Sequence, residues 1–198
     1  RKVFPICDHS VDLIITDPPW SWDDKYPGGF STKRKDNRLG YLTLSEEELL
    51  FALKECYRVL KEDSFFFCWV TNQHLPILFR LVEKTPFKYK QIITWVKNTM
   101  GLGYTFRNKT EHCILFITYP YKRKIKANNL PNVFFAKNPR YTQKPIELSK
   151  IFIEQGSNTG DLVFDPFAGS GNIIHTGLDR NFWINDIKYI IDEELKNE

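Results

Sequence analysis

Asp17-Pro18-Pro19-Trp20 sets a carboxylate, two rigid residues and an indole in four consecutive positions. That combination suits one demanding reaction, the alkylation of an exocyclic amine on a nucleobase. The amine lone pair is delocalised into the ring, so the nitrogen is a poor nucleophile. Two acceptors, one on each N–H bond, pull it toward tetrahedral geometry and aim the lone pair at an electrophile. Asp17 supplies one acceptor and the Pro18 carbonyl the other. Pro19 stiffens the turn, and Trp20 offers a face for the base. Such stacking is worth about 1–3 kcal/mol, comparable with the few kcal/mol that extruding a base from a duplex costs. Catalysis would rest on positioning, with no covalent intermediate. The plain alternative is a proline turn with an incidental aromatic.

A second segment, Leu162-Val163-Phe164-Asp165-Pro166-Phe167-Ala168-Gly169-Ser170-Gly171, runs from an apolar strand into a predicted helix through a Gly-x-Gly turn. Glycines there let the backbone approach a ligand closely, and a helix start offers unpaired amides. In a doubly wound sheet a nucleotide-like cofactor binds at such a turn. Asp186, at the end of the next predicted strand, suits the two ribose hydroxyls of an adenosine. An ordinary tight turn is the competing reading. A dinucleotide site is disfavoured, because Ile174 stands where G-x-G-x-x-G needs its third glycine.

The elements that must carry these turns alternate apolar runs with helical periodicity, which predicts an α/β sheet. Val11–Thr16 is a short β-branched run that Pro18 and Pro19 must end. Ser45-x-x-Glu48 is a capping box opening a helix whose apolar face is Leu49, Leu50, Leu53, Tyr57 and Leu60. Ser64–Val70 reads as a strand buried on both faces. Gln73–Lys84 reads as helix and Gln91–Val96 as strand. Cys113–Thr118 is expected to be antiparallel, because too few residues precede it for a helical crossover. Tyr119 to Tyr141, polar and basic, reads as a long loop or small target-recognition insertion. Pro145–Gly156 is predicted helix, Asp161–Asp165 strand, Ser170–Leu178 helix, Asn181–Asn185 strand, and the charged tail from Lys188 helix.

Together the two turns resemble the amino-methyltransferase family that modifies N6 of adenine or N4 of cytosine, in which D-P-P-[YFW] is the catalytic motif and F-x-G-x-G the cofactor motif. The catalytic motif comes first here, the permuted order of the family's beta class. Thr142-Gln143-Lys144-Pro145 matches a T-Q-K-P segment that in this class contacts the methionine portion of S-adenosylmethionine. The resemblance spans Val11 to about Tyr189. It implies a Rossmann-like methyltransferase fold, mostly parallel with an antiparallel strand. It also implies S-adenosylmethionine held by Thr142, Gln143, Lys144, Asp165, Phe167, Gly169, Ser170, Gly171 and Asp186. Asp17, where cytosine enzymes carry Ser, favours adenine. Trp95-Val96-Lys97 and Lys109-Thr110-Glu111-His112-Cys113 are similar to segments of the eukaryotic messenger-RNA adenine methyltransferases, which implies a cofactor or substrate contact for Lys97 and keeps RNA open beside DNA. Asn172 departs from the threonine usual after G-S-G. The family's upstream acidic segment, near the cofactor adenine, is represented at most by Cys7-Asp8.

The 198 residues suffice for one domain with a buried core, and the net charge of +4 permits a polyanionic partner without demanding one. Lys33, Arg34, Lys35 and Arg38 follow the catalytic loop, and Lys122, Arg123, Lys124 and Lys126 sit with Tyr119 and Tyr121 in the insertion. Cations interleaved with aromatics suit a nucleic-acid backbone, although a solvated face is the bland reading. The short insertion implies relaxed or short sequence specificity, or help from a homodimer partner or second subunit. No C-x-x-C pair occurs among the four cysteines, so reduced thiols in an intracellular setting are expected, cytoplasm or nucleoid in a prokaryote or phage and nucleus in a eukaryote. No apolar run approaches a membrane span. Three function classes remain: an N6-adenine methyltransferase on DNA, the same chemistry on RNA, and a catalytically silent nucleic-acid-binding scaffold. A nucleotide-binding oxidoreductase is disfavoured by the absent glycine.

Overall fold

The computed structural model describes residues 4–20, 43–101, 106–137, 143–169 and 171–184. Its first strand, β1, is Val11–Thr16, ending at the prolines as expected. Helix α1, Glu46–Val59, begins at Ser45, where both halves of the capping box form. It gives way directly to β2, Leu60–Val70. Helix α2 (Leu75–Val82) leads to β3 (Lys88–Lys97) and then β4 (Thr110–Ile117). The short β5, Val133–Ala136, precedes α3 (Ile146–Gly156), β6 (Leu162–Asp165) and β7 (Asn181–Ile184).

The seven strands form one sheet in the order β5-β3-β4-β2-β1-β6-β7. β4 pairs antiparallel with both β2 and β3, and every other pairing is parallel, so β4 alone runs against the rest. Side-chain alternation sends each central strand's apolar residues to both faces. Ile14, Phe66, Cys68, Ile114 and Phe116 pack with α1 and α2. Leu13, Ile15, Phe67, Trp69 and Leu115 pack with α3. Gly156, at the end of α3, lies flush on the sheet: a Cβ there would come within 2.9 Å of Leu13 Cδ1.

Two expectations are corrected. The segment read as loop from Tyr119 to Tyr141 contains β5, which adds a parallel edge strand beside β3. The helix expected over Ser170–Leu178 is a 3-10 turn, Asn172–Thr176, closed at each end by a glycine at positive φ, Gly171 at 69° and Gly177 at 70°. Its buried residues, Ile173 and Thr176, lie three apart on one face of the turn. The cofactor-motif glycine turn therefore has no α-helix start behind it among the described residues. The expected charged tail helix from Lys188 lies outside them, and so does the end of the last predicted strand.

Candidate active site

β1 and β6 are parallel neighbours, Leu13 beside Val163 and Ile14 beside Phe164. Asp17-Pro18 and Asp165-Pro166 therefore leave the sheet at the same end, side by side. A direct bond joins them: Thr16 Oγ1 donates to Asp165 Oδ1 at 2.6 Å. The same oxygen accepts the Phe167 N–H at 3.0 Å, folding the start of the glycine turn back on its own strand. Both Thr16 and Asp165 are buried. Gly169 and Gly171 sit at φ 50° and 69°, conformations that L side chains rarely adopt. A Cβ at Gly169 would meet nothing within 4 Å, so the turn presents bare backbone to open space. An apolar crevice lined by Thr16, Pro18, Trp20, Leu49, Phe66 and Phe167 adjoins both turns. Bare backbone at the turn allows the close approach that an adenosine-bearing cofactor needs.

The Gln143-Lys144-Pro145 segment, just before α3, is bound to both turns. Asn172 Nδ2 donates to the Lys144 carbonyl at 3.2 Å, and Lys144 Nζ donates to Asp17 Oδ2 at 2.5 Å. With the Thr16–Asp165 bond, the three motifs close a ring of hydrogen bonds.

Lys144 also reaches Glu111 Oε2 at 3.2 Å, and Lys97 Nζ donates to Glu111 Oε1. A chain of alternating charge, Asp17–Lys144–Glu111–Lys97, thus crosses the cleft. Lys97 and Lys144 lie over the Trp95 and Trp69 rings, 5.0 and 5.7 Å from the centroids. Burial pushes the Asp17 carboxyl above its ordinary range, with Glu111 adding to the rise and Lys144 opposing it. Asp17 sits deep among protein atoms, yet its side chain keeps 37% exposure, so water still reaches the carboxylate and the consequence of the push is moderated. Burial also works against the charges of Glu111 and Lys144, but their neighbours prevail. Lys144 and Lys97 hold Glu111 below the usual range, and Asp17 and Glu111 raise Lys144. Both members of the Lys144–Glu111 pair are therefore charged.

Trp20 is mostly spent on the fold. Its indole is 8% exposed, stacks on His74 at 5.5 Å and donates to the Trp69 carbonyl at 3.2 Å. One indole face is therefore taken, which narrows the expected stacking platform to the other. The Pro19 carbonyl accepts the Leu44 N–H at 3.0 Å.

Lys122 and Arg123 are not brought to the site. Their backbone N–H groups bond Asp63 Oδ1, at 2.7 and 2.8 Å, near the start of β2. That is the sheet end opposite Asp17, because β2 runs parallel to β1 and pairs Cys68 with Thr16. Arg123 further lies 5.6 Å from the Phe65 ring centroid. A role for this basic run at the catalytic cleft is therefore not supported by its position. Asp8 is likewise at the far end, paired with Arg58 at 2.5 Å, so it stands away from both turns. Thr142, Ser170, Asp186, Lys33 and Arg34 lie outside the described residues. Glu111, Asn172 and Thr16 are the residues that motif reading left without a role. A carboxylate on the same strand face as the buried Cys113 and Leu115 was the available signal for Glu111.

The sheet order, the single reversed strand and the paired turns define a Rossmann-like S-adenosylmethionine-dependent methyltransferase fold in permuted order. Solved structures share it: the M1.HpyAVI–SAM complex superposes with a TM-score of 0.67 at 22% identity, covering 95% of this chain and 88% of that one. PvuII DNA methyltransferase (cytosine-N4-specific) gives 0.69 at 15% identity, with 99% and 89% covered. The family model MT-A70 matches residues 11–162, and the chain belongs to that family. Among curated relatives, Type II methyltransferase M.HhaII of Haemophilus parahaemolyticus is 29% identical over 203 residues, 97% of this chain and 88% of that protein. DNA adenine methyltransferase YhdJ of Escherichia coli (strain K12) is 28% identical over 201 residues, 81% of this chain and 66% of that protein.

Proposed function

We propose that this protein transfers the methyl group of S-adenosylmethionine to the N6 amine of adenine in DNA. The observation that carries the reading is the Thr16–Asp165 bond, which fixes an amine-accepting carboxylate and a bare glycine turn at one mouth of the sheet. Asp165, Phe167, Gly169, Gly171, Gln143 and Lys144 are the described residues that would hold the cofactor, together with Thr142, Ser170 and Asp186. Bound there, S-adenosylmethionine supplies an electrophilic methyl on a sulfonium. Asp17 accepts one N6–H and the Pro18 carbonyl the other, which localises the nitrogen lone pair and orients it. Asp17, its proton affinity raised by burial, then receives the proton that nitrogen sheds on gaining the methyl.

DNA is the favoured substrate because the curated relatives quoted above carry DNA or Type II methyltransferase names. Adenine is favoured by Asp17 at the head of the motif and by YhdJ, against the cytosine-N4 enzyme of like fold. The deciding assay supplies tritiated cofactor with matched DNA and RNA and identifies the labelled nucleoside, alongside Asp17→Ala. Label in DNA as N6-methyladenine, reduced by about a hundred-fold or more in the variant, is the expected result. Label in RNA alone moves the substrate. Label at N4 of cytosine, or full activity without Asp17, overturns the reading.

A further inference from the structure

Lys144 occupies one oxygen of the carboxylate proposed above to accept the substrate amine. Its ammonium is 2.5 Å from Asp17 Oδ2, and a carboxylate oxygen committed to an ammonium is a weak acceptor for a second donor. We propose that Lys144 is a movable counter-ion: it passes from Asp17 to Glu111 when a base amine takes the catalytic carboxylate, so Glu111, backed by Lys97, is a positioning residue of the reaction. The proposal rests on Asp17 being the amine acceptor, as argued above.

Geometry and charge both favour the handover. The Lys144 side chain is 15% exposed, so it cannot leave Asp17 simply by turning to water, and a buried ammonium without a counter-charge is strongly unfavourable. Glu111 is already 3.2 Å away, so the transfer is a shortening of one contact as another lengthens. Lys97 and Lys144 address different oxygens, Oε1 and Oε2, so Glu111 can hold both cations together. The cation–π contact with Trp69 accompanies Lys144 in either pairing. Around the chain, the thiols of Cys68 and Cys113 are kept protonated by burial, and burial also holds His112, next to Glu111, toward its neutral form. Among the described residues facing Lys144, Asp17 and Glu111 are thus the anions that matter.

The test compares wild type with Glu111→Gln, Lys144→Met and the double variant, in two measurements. The first needs no substrate: a 13C NMR titration of the Asp17 carboxyl. Handover predicts that Glu111→Gln lowers the Asp17 pKa, because an anion is removed and Lys144 is no longer shared. If Glu111 instead only holds Lys144 against Asp17, the pKa rises. The second is steady-state methylation of an adenine-bearing oligonucleotide. Handover predicts that Glu111→Gln raises KM by roughly ten-fold with a smaller change in kcat, the loss expected from one charge-assisted contact. Adding Lys144→Met to Glu111→Gln should recover most of that KM. A pKa that rises or stays fixed, or a double variant no better than Glu111→Gln, overturns the proposal. Methylation of some other base would instead refute the adenine reading, and the same KM comparison on an oligonucleotide bearing that base would still decide the handover.

Discussion

Replacing Thr16 by Val removes one hydroxyl and keeps the β-branched shape that suits β1. The hydroxyl is 1% exposed as part of its residue and donates at 2.6 Å to the buried carboxylate of Asp165. A hydrogen bond to a charged group contributes about 1.5–3 kcal/mol. Asp165 Oδ1 still accepts the Phe167 N–H, and the added methyl returns about 0.8 kcal/mol of apolar burial. The net expectation is a loss of about 1–2 kcal/mol, which for a chain of this size is a drop in Tm of roughly 2–8 °C. Urea unfolding should show a lower midpoint at unchanged m. Because the bond ties the catalytic carboxylate's strand to the glycine turn, the calorimetric affinity for S-adenosylhomocysteine and kcat/KM should fall together, each by about ten-fold or more. Thr16→Ser supplies the control: losing a methyl lowers stability by about 1 kcal/mol, yet the hydroxyl keeps the turns aligned and transfer near wild type. If Thr16→Val matches wild type in both stability and transfer, or if Ser and Val lose transfer equally, the two turns are held by something other than this bond.

Gly156→Ala should destabilise by about 1–3 kcal/mol through overpacking, because the new Cβ meets Leu13 Cδ1 at 2.9 Å and Phe67 Cε2 at 3.2 Å inside the core. Thermal unfolding reads this directly, and a stabilised variant would mean that α3 does not lie flush on the sheet. The rate of methyl transfer should fall with acidification through a pKa above 3.8, since the transfer needs the Asp17 carboxylate and burial raises its pKa. Stability follows the opposite sign: the folded state binds that proton more tightly, so the Asp17 contribution is present below 3.8 and lost as pH rises through the folded value. The difference in unfolding free energy between wild type and Asp17→Asn, measured against pH, should show that slope; a slope of the other sign would place Asp17 in a net stabilising ion pair.

Motif chemistry was legible because it is local. Asp17-Pro18-Pro19 fixes a strand end by backbone constraint alone, and Gly169 and Gly171 announce positive φ. The reversal of β4 was equally readable, from the short stretch that separates it from β3. Other features depend on contacts that no local window contains. Val133–Ala136 is an apolar run of four residues behind Pro131, and only the free edge of β3 makes it a strand. Charge alone gave the basic run at Lys122 and Arg123 no position in the fold, and the direction of β4 carries it to the sheet end away from Asp17. Asn172 was legible only as a departure from threonine, yet its amide ties the glycine turn to Lys144. Ser170–Leu178 was expected to be helix after the glycine turn, but Gly171 and Gly177, both at positive φ, bound a 3-10 turn of five residues.

The reversal of β4 is also why a carboxylate stands opposite Asp17 at all. In a parallel sheet each strand delivers its last residues to the edge where ligands bind. β4 delivers its first ones, Thr110 and Glu111, beside the ends of β2 and β3. Had β4 run with its neighbours, Ile117 and Thr118 would meet that edge, and Lys144 would have Asp17 as its sole anion among these residues. The antiparallel β3–β4 pair further sets Trp95 opposite Glu111, which leaves Lys97, two residues on and on the same face, within reach of the Glu111 carboxylate. The four-charge chain therefore follows from strand direction, and a one-residue slip of β4 against both β2 and β3 would turn Glu111 to the other face and leave Lys144 without its second partner.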